Sequence, residues 1–401
     1  MPHGGASFAA YRLDDPEIVE VGDPGGMLRQ VASSAAQVRT ALRACEEAGL
    51  AGLRPDARPR AIVVAGAGVG ALAGDILAAL CGSRSPVQVL TVSGNALPGW
   101  VGAADLVLAT SSSGHTVEVV ALAREAARRG CDLLGVAPAG SAVADIITQA
   151  RGILVPVTSA GTARSSLWTL TVPLVYVAER LGLAAVGAAG YEEAASVLED
   201  VSHQCRPSSE SFVNPGKSLA LDFVGSLPMV WGGSPLAVVA ARRLVAQLAA
   251  NAKYPALLGV LPGIGRDQVA VLDGLFAPHP EPDYPAVEDP LADPFPDSLD
   301  SLESLGNDPE GTTALRLVLV ADEAAEHPRV TAQRRAAAGL AAARGIDVSE
   351  LSMEGGQPLR KLAAVVQLAD YASVYLGIAC GIDPLAIAAI GDLKELTEQA
   401  G

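Results

Sequence analysis

The sequence has few aromatic residues and few basic ones. Phe, Trp and Tyr together make up 4% of the chain although half of it is hydrophobic, so its cores must consist mainly of Ala, Val and Leu. Lys and Arg number 28 against 44 Asp and Glu, which leaves a net charge of −16. A surplus of negative charge argues against nucleic acid and anionic membranes as partners.

Cysteine pairs, leader segments and long apolar runs are also lacking. The five cysteines are scattered, odd in number and without the C-x-x-C spacing of zinc sites, so we expect no disulfide framework and no metal. The sequence does not open on a basic region followed by an apolar one, and no uninterrupted apolar run reaches transmembrane length. These features predict a cytoplasmic protein.

The chain does contain short apolar runs that alternate regularly with helical patterns. Such alternation predicts the α/β class, here with two doubly wound parallel sheets whose strand-to-helix turns all lie at one edge. The strands of the first sheet are expected at 60–65, 86–93, 105–109, 133–137 and 152–157. Those of the second are expected at 227–233, 257–261, 315–321 and 348–351.

These elements suggest four parts of the chain. We expect a helical arm over residues 1–55, a first domain over 56–190, a connecting helix over 191–216 and a second domain over 217–401 that ends in a helix. The similar size of the two α/β units suggests an internal duplication, although no clean sequence repeat is visible.

An acidic, proline-rich insertion interrupts the second domain at residues 280–312. No Lys or Arg occurs between Arg266 and Arg316. This composition is typical of a solvated loop, and an acidic docking tail is the alternative.

A hydroxyl-rich turn follows the third predicted strand. Ser111, Ser112, Ser113, Gly114 and Thr116 lie between the apolar run 105–109 and a helical pattern over 117–127. Free backbone N–H groups and the helix dipole make such a turn an anion site, to which hydroxyls add neutral donors. The alternative is a Ser/Thr cap of the helix within a polar turn.

A glycine-rich turn follows the first predicted strand. Gly66, Gly68 and Gly70 form a G-x-G-x-G pattern, which is a weak indication of dinucleotide binding. The acidic residue expected after the second strand is missing, because that strand ends in Ser93-Gly94-Asn95. The simpler interpretation is a tight turn facing the same pocket as the hydroxyl turn, and we expect no cofactor.

These motifs resemble the sugar isomerase (SIS) superfamily, and within it the bifunctional phosphoglucose/phosphomannose isomerase-like proteins. Residues 111–118 are similar to the family's phosphate loop S-x-S-G-N-T-x-E, with His115 in place of Asn. Further similar segments are 23–27, 326–329, 370–376 and 381–384. The resemblance implies two SIS domains, a homodimer with active sites near the subunit interface, and a sugar phosphate bound by Gly66, Gly68, Ser111, Ser113, Gly114 and Thr116.

The resemblance also assigns the residues expected to act in catalysis. Aldose–ketose isomerisation needs a base that moves a proton, a cation for the oxyanion and a group that opens the sugar ring. Arg164 matches the family's enediolate-stabilising arginine, and Lys394 matches its C-terminal lysine that reaches the substrate. A salt bridge at a helix start and an exposed surface lysine are the respective alternatives.

Two catalytic positions depart from the family. Its base is the Glu of a Q-L-N-E-N-A-K segment, and the corresponding segment 247–253 has Ala250 there. Its ring-opening His corresponds to Arg266. Alanine cannot move a proton, and arginine stays protonated. Two functions therefore remain open: a divergent isomerase with a replacement base such as His115, Asp267 or a partner's group, or a non-catalytic phosphosugar-binding or regulatory protein.

Overall fold

Two parallel β-sheets organise the chain. The structure is a computed structural model that describes residues 6–53, 58–158, 161–277 and 314–400. One sheet has five strands and the other four, and every pairing in both is parallel, which confirms the predicted α/β fold. The acidic insertion at 280–312 lies outside the described residues.

The N-terminal arm is helical, as expected. Its helices are α1 (Ala6–Asp14), α2 (Pro16–Gly22), α3 (Met27–Ala32) and α4 (Ser34–Glu47). The carboxylate of Asp15 accepts hydrogen bonds from the first turn of α2. Asp23 accepts from the backbone N–H groups of Met27 and Leu28 at the start of α3. Aspartate suits these places because its oxygens satisfy N–H groups that a helix start leaves free.

The first sheet is covered by helices on both faces. Its strands are β1 (Ala61–Gly66), β2 (Gln88–Val92), β3 (Leu106–Thr110), β4 (Asp132–Ala137) and β5 (Ile153–Pro156), in the order β2-β1-β3-β4-β5. Its helices are α5 (Val69–Cys81), α6 (Val117–Arg128), α7 (Ala142–Gln149) and α8 (Leu167–Arg180). Alternate residues of a strand face opposite ways, so Val63 packs with α6 and α7 whereas Ile62 packs with α5 and α8.

The connecting helix is shorter than expected. It is expected over residues 191–216, but α9 spans Gly187–Gln204. Pro207 lacks a backbone N–H and disfavours the helical conformation of the residue before it, so the helix ends upstream.

The second sheet has the order β7-β6-β8-β9. Its strands are β6 (Ser226–Gly232), β7 (Leu257–Val260), β8 (Ala314–Ala321) and β9 (Asp347–Ser352). The helices of this half are α10 (Pro215–Phe223), α11 (Pro235–Gln247), α12 (Pro328–Ala343), α13 (Pro358–Ala379) and α14 (Ala388–Ala400). The sequence predicts helices over residues 236–253 and 384–399. In the structure the first of them ends at Gln247, where the chain widens into a π-helical turn, Leu248–Ala252, and the second begins at Ala388.

Helix α13 lies at the centre of the core that joins the two sheets. It packs against α9, α10 and α11. Its 22 residues are long and apolar enough to cross a membrane, but 89% of its most apolar window is buried inside the protein. A helix that is hydrophobic all round and covered by other helices is a core helix.

The ends of the stretch that contains the acidic insertion lie close together. The backbone N–H of Leu315 donates to the carbonyl of Phe276 at 3.0 Å. Shortening a surface connection whose ends already meet has little thermodynamic cost. We therefore predict that deletion of residues 280–310 changes the melting temperature by only a few degrees, as measured by calorimetry. A much lower melting temperature would show that the segment contributes packed structure.

Candidate functional site

The first sheet has its topological switch point between β1 and β3. These neighbouring strands are followed by connections that leave in opposite directions, and ligands of open α/β sheets bind in the crevice at such a point. Gly66 pairs in register with Thr110, so the glycine turn and the hydroxyl turn leave the sheet side by side. A Cβ added to Gly70 would lie 2.9 Å from the Thr110 carbonyl oxygen. Two of the sequence-predicted turns therefore border one crevice.

The hydroxyl groups of the second turn converge on one another. Ser111 Oγ lies 2.9 Å from Thr116 Oγ1 and 3.5 Å from Ser113 Oγ. Ser111 Oγ also accepts from the backbone N–H of Gly114 at 2.9 Å, and Ser113 Oγ accepts from that of His115 at 3.2 Å. Ser111 is buried whereas Ser113 is exposed, so the group is anchored at one end and open to solvent at the other.

Gly114 is required at its position in this loop. Its φ is +70°, a conformation that other residues rarely adopt. A Cβ there would also come within 2.1 Å of Ser141 Oγ, which caps the next helix, α7. The loop therefore depends on glycine for both its conformation and its packing.

The side chain of Thr116 does not cap helix α6. Thr116 precedes the helix with extended backbone angles, but its side chain accepts no hydrogen bond from the first turn. Its hydroxyl faces Ser111 instead. The cap interpretation is therefore wrong for Thr116. An uncapped helix start beside three hydroxyls is an arrangement suited to an anion.

The glycine turn adds a second helix start to the crevice. Gly68 precedes α5 with φ +54° and ψ −118°, and a Cβ there would have open space around it. Gly66 has no such space, because its Cβ would lie 2.6 Å from the Gly70 carbonyl carbon. Gly66 thus permits the tight turn, and Gly68 leaves backbone facing the crevice.

The corresponding crevice of the second sheet is filled by side chains. Ser234 Oγ donates to the carboxylate of Asp322 at 2.8 Å across β6 and β8. Nearby, the buried Glu326 accepts from Arg334 Nε at 3.1 Å. Asp322 also pairs with Lys361 at 3.6 Å, so the polar groups at this switch point are occupied with one another. The first sheet is therefore the better candidate for a phosphate.

Arg164 lies on a short 3₁₀ turn, Ala163–Ser165, between β5 and α8. Its Nη1 donates to the carbonyl of Ala250 at 3.3 Å, and its Nη2 donates to that of Pro384 at 3.0 Å. Its buried Nε has no hydrogen-bond partner among the described residues. Partial burial lowers the pKa of the guanidinium, an effect that Arg243 reinforces and Asp383 opposes.

Lys253 is a second cation at this place, and no motif in the sequence predicts a role for it. Its Nζ donates to the carbonyls of Asp383 at 2.8 Å, Ala250 at 3.1 Å and Pro384 at 3.2 Å. Desolvation and the charge of Arg164 lower the pKa of the ammonium, whereas Asp383 raises it. Its φ of +53° is unusual for a residue other than glycine, and such outliers cluster at functional sites.

A buried ion pair holds the Arg164 turn from below. Arg243 donates from Nε and Nη2 to the two carboxylate oxygens of Asp370, both at 2.7 Å. The same Nη2 donates to the Arg164 carbonyl at 2.7 Å. The pair thus connects helices α11 and α13 of the second half to a turn of the first.

The N-terminal arm holds the same turn from the other side. Gln30 Oε1 accepts from the Thr162 N–H at 2.8 Å and from Ser165 Oγ at 3.1 Å. Gln37 donates to the Ser165 carbonyl at 2.7 Å. No sequence signal marked these glutamines, because their partners lie more than a hundred residues away.

The remaining predicted residues occupy varied positions. Ala250 lies within the π-helical turn beside Arg164, so the family's base position adjoins the predicted enediolate cation. Arg266 ends an exposed 3₁₀ turn after β7. Lys394 is exposed on α14, and in the described part of the chain its ammonium has no hydrogen-bond or ion-pair partner. His115 is exposed in the hydroxyl loop, and Asp267 accepts from the Gln268 N–H.

Within the described residues, no three His, Cys, Asp or Glu side chains are grouped closely enough to hold a metal ion. The crevice of the first sheet offers hydroxyls and backbone N–H groups, and the two cations lie together at the Arg164 turn.

Comparisons with known proteins point to one family. Residues 212–396 match the model of the bacterial phospho-glucose isomerase C-terminal SIS domain. A bifunctional phosphoglucose/phosphomannose isomerase of Caldicellulosiruptor bescii is 21% identical over 333 residues, which cover 83% of this chain and 88% of that protein.

Solved structures share the fold across the chain. A glucose-6-phosphate isomerase of Chlamydia trachomatis aligns with a TM-score of 0.65 at 14% identity, covering 98% of this chain and 84% of that one. A tagatose-6-phosphate ketose/aldose isomerase of Escherichia coli aligns with a TM-score of 0.59 at 14% identity, covering 96% of this chain and 98% of the other.

The Arg243–Asp370 pair generates a stability prediction. Asp370→Asn would leave the Arg243 charge buried and unpaired, which costs about 3–5 kcal/mol. We expect a loss of that size in the free energy of unfolding measured by urea denaturation. The control is Asp273→Asn, which breaks the surface pair with Arg344 and should change stability by less than about 1 kcal/mol. Equal effects of the two variants would contradict this view of the pair.

Proposed function

We propose that this chain, which belongs to the SIS superfamily and resembles its bifunctional phosphoglucose/phosphomannose isomerases, binds a sugar phosphate at the hydroxyl turn. Ser111, Ser113, Gly114 and Thr116 would contact the phosphate, with Gly66 and Gly68 forming the opposite wall. The observation that carries the proposal is the convergence of three hydroxyls at an uncapped helix start on the switch point of the first sheet.

Phosphoglucose and phosphomannose isomerase activity is, in this proposal, absent or very weak. What adjoins Arg164 at the family's base position is the backbone carbonyl of Ala250, which cannot take a proton from carbon. A positioned general base contributes about 10²–10⁴-fold, and the ring-opening group adds a further factor. The chain would then act as a phosphosugar-binding or regulatory protein in carbohydrate metabolism.

A homodimer is part of the proposal. The stretch around the last helix exposes Ile387, Ile390, Leu393 and Leu396 at intervals of three residues. An apolar stripe of this kind favours coverage by another protein surface, here a second copy. A second copy packed on this stripe would also restrict the side-chain conformations of the neighbouring Lys394. With a net charge of −16 we propose neither nucleic acid nor a membrane as partner, and a cytoplasmic location.

The phosphate loop is tested by truncating one hydroxyl. A hydrogen bond to a charged phosphate is worth roughly 1.5–3 kcal/mol, so Ser113→Ala should weaken binding of fructose 6-phosphate about tenfold or more. Ser112→Ala is the matched control, since this neighbouring side chain takes no part in the hydroxyl cluster, and its affinity should stay unchanged. Calorimetric titration measures both. Unchanged affinity in Ser113→Ala would refute the loop assignment.

The catalytic proposal is tested by a coupled assay of fructose 6-phosphate conversion to glucose and mannose 6-phosphates. The native protein should turn over far below an ordinary enzyme rate of about 10 per second. An Ala250→Glu, Arg266→His double variant should exceed it, because both proton-transfer groups return. Native turnover near the ordinary rate would contradict this proposal and favour the alternative function, a divergent isomerase in which another residue serves as the base.

A further inference from the structure

Helix α3 of the N-terminal arm places one side-chain oxygen at the centre of the Arg164 turn. Gln30 Oε1 accepts the backbone N–H of Thr162 at 2.8 Å, and the hydroxyls of Thr162 and Ser165 each lie 3.1 Å from it. A Cβ added to Gly161 would come within 2.5 Å of the same oxygen. The residues on both sides of Arg164 are therefore arranged around a single acceptor that belongs to another part of the chain.

Gln37, on helix α4, holds the far end of the same turn. Its Nε2 donates to the Ser165 carbonyl at 2.7 Å, and its Oε1 lies 3.2 Å from the Thr169 hydroxyl in the first turn of α8. Two glutamines of the arm thus satisfy polar groups before and after Arg164. Because a turn of three residues has few hydrogen bonds of its own, these contacts set the direction in which the Arg164 side chain leaves the backbone.

The arm also contacts the segment that receives the Arg164 guanidinium. A Cβ added to Gly25, in the connection between α2 and α3, would clash with Leu385 Cδ1. Leu385 follows Pro384, whose carbonyl accepts from Arg164 Nη2 at 3.0 Å. One stretch of the arm therefore packs against the backbone that carries Arg164 and against the backbone that holds the end of its side chain.

Helix α3 is anchored firmly enough to act as a support. Its residues Met27, Leu28 and Val31 are buried. The carboxylate oxygens of Asp23 accept the N–H groups at its start, and the Val31 carbonyl accepts from Gln367 Nε2 of α13 at 3.0 Å. A side chain on a helix that is held at its start and near its end has a defined position, as a functional site requires of its supporting residues.

Arg164 and the hydroxyl turn lie at the same edge of the first sheet, but one phosphate cannot contact both. The hydroxyl turn follows β3 and the Arg164 turn follows β5, with β4 between them. Neighbouring strands are about 4.8 Å apart, so the two strand ends are separated by about 10 Å. In the proposed function the phosphate occupies the hydroxyl turn, and Arg164 is therefore left to meet the sugar end of the ligand.

We propose that Gln30 and Gln37 are positioning residues, through which the docked N-terminal arm sets Arg164 for contact with the sugar and leaves the phosphate contacts untouched. The inference rests on the proposed sugar-phosphate function and identifies the part of the chain that controls affinity for the sugar end of the ligand. A change in the arm should therefore alter the preference for a sugar phosphate over phosphate alone.

The test compares the affinities of the full chain for fructose 6-phosphate and for inorganic phosphate. Calorimetric titration gives the first affinity, and competition against fructose 6-phosphate gives the second. Gln30→Met keeps the length of the side chain but removes the acceptor oxygen, so the ratio of the two affinities should fall about three- to tenfold. Gln30→Glu keeps an acceptor oxygen at the same reach, and it should restore most of the native ratio.

Lys217→Met is the matched control for loosening of the arm. Lys217 is buried and donates to the carbonyls of Leu13 and Pro207 at 2.6 Å and 2.8 Å, so it ties α1 to the segment before α10, away from the Arg164 turn. This variant should lose stability in urea denaturation but keep the native ratio of affinities.

A fall of both affinities by the same factor in Gln30→Met would show that the arm supports the fold as a whole, and it would overturn the inference. The inference is equally wrong if Lys217→Met changes the ratio as much, or if Gln30→Glu does not recover it. Each of these results leaves the proposed function standing. Only a native chain that binds neither ligand refutes the proposed function, and the inference then fails with it.

Discussion

The buried fork between Arg243 and Asp370 is the constraint on which the candidate site depends. A guanidinium that donates two parallel hydrogen bonds to a carboxylate fixes the relative placement of the helices that carry them, here α11 and α13. Arg243 Nη2 also donates a hydrogen bond to the Arg164 carbonyl in the first half of the chain. Because the pair is nine-tenths or more buried, solvent does not compete with these bonds. The position of the Arg164 turn relative to the second half is therefore set by charge and geometry as well as by apolar packing.

The two sheets share a strand order, but the residues at their switch points differ. In the first, small residues and hydroxyls leave a crevice, and Gly66 and Gly70 let the turn pass close to β3. In the second, Ser234 and Asp322 close the same place with a hydrogen bond, while Arg334 satisfies Glu326 beneath. In the second sheet these hydrogen bonds and ion pairs stabilise the fold, whereas in the first the helix start after Thr116 has no side-chain cap. Fold similarity alone would not have distinguished the two, because function belongs to the side chains at the edge.

The sequence was sufficient for the fold and for one wall of the site. Strand β3, the hydroxyl turn and helix α6 are local in the chain, so apolar runs and turn residues predict them well. The other wall consists of long-range contacts. Gln30 meets Thr162, and Lys253 meets Asp383, across more than a hundred residues each, and no periodicity encodes such meetings. The left-handed conformation of Lys253 was equally invisible, because lysine carries no preference for positive φ. Two helix ends were not predicted correctly. The helix that ends at Gln204 stops shortly before Pro207, and the helix that ends at Gln247 continues as a π-helical turn.

An acidic protein and an anionic ligand are compatible because the relevant field is local. The net charge of −16 is spread over a large surface, and at physiological ionic strength exposed charges are screened beyond about 8 Å. At the candidate site the ligand would instead meet two helix starts and two cations, whose partners are backbone carbonyls. Those carbonyls are what fix the cations in place without neutralising them. A carboxylate in the same role would have held Arg164 equally firmly but would have cancelled its charge. Alanine at position 250 thus has two consequences: it offers no side-chain proton acceptor beside Arg164, and it leaves the charge of the guanidinium uncompensated at that contact.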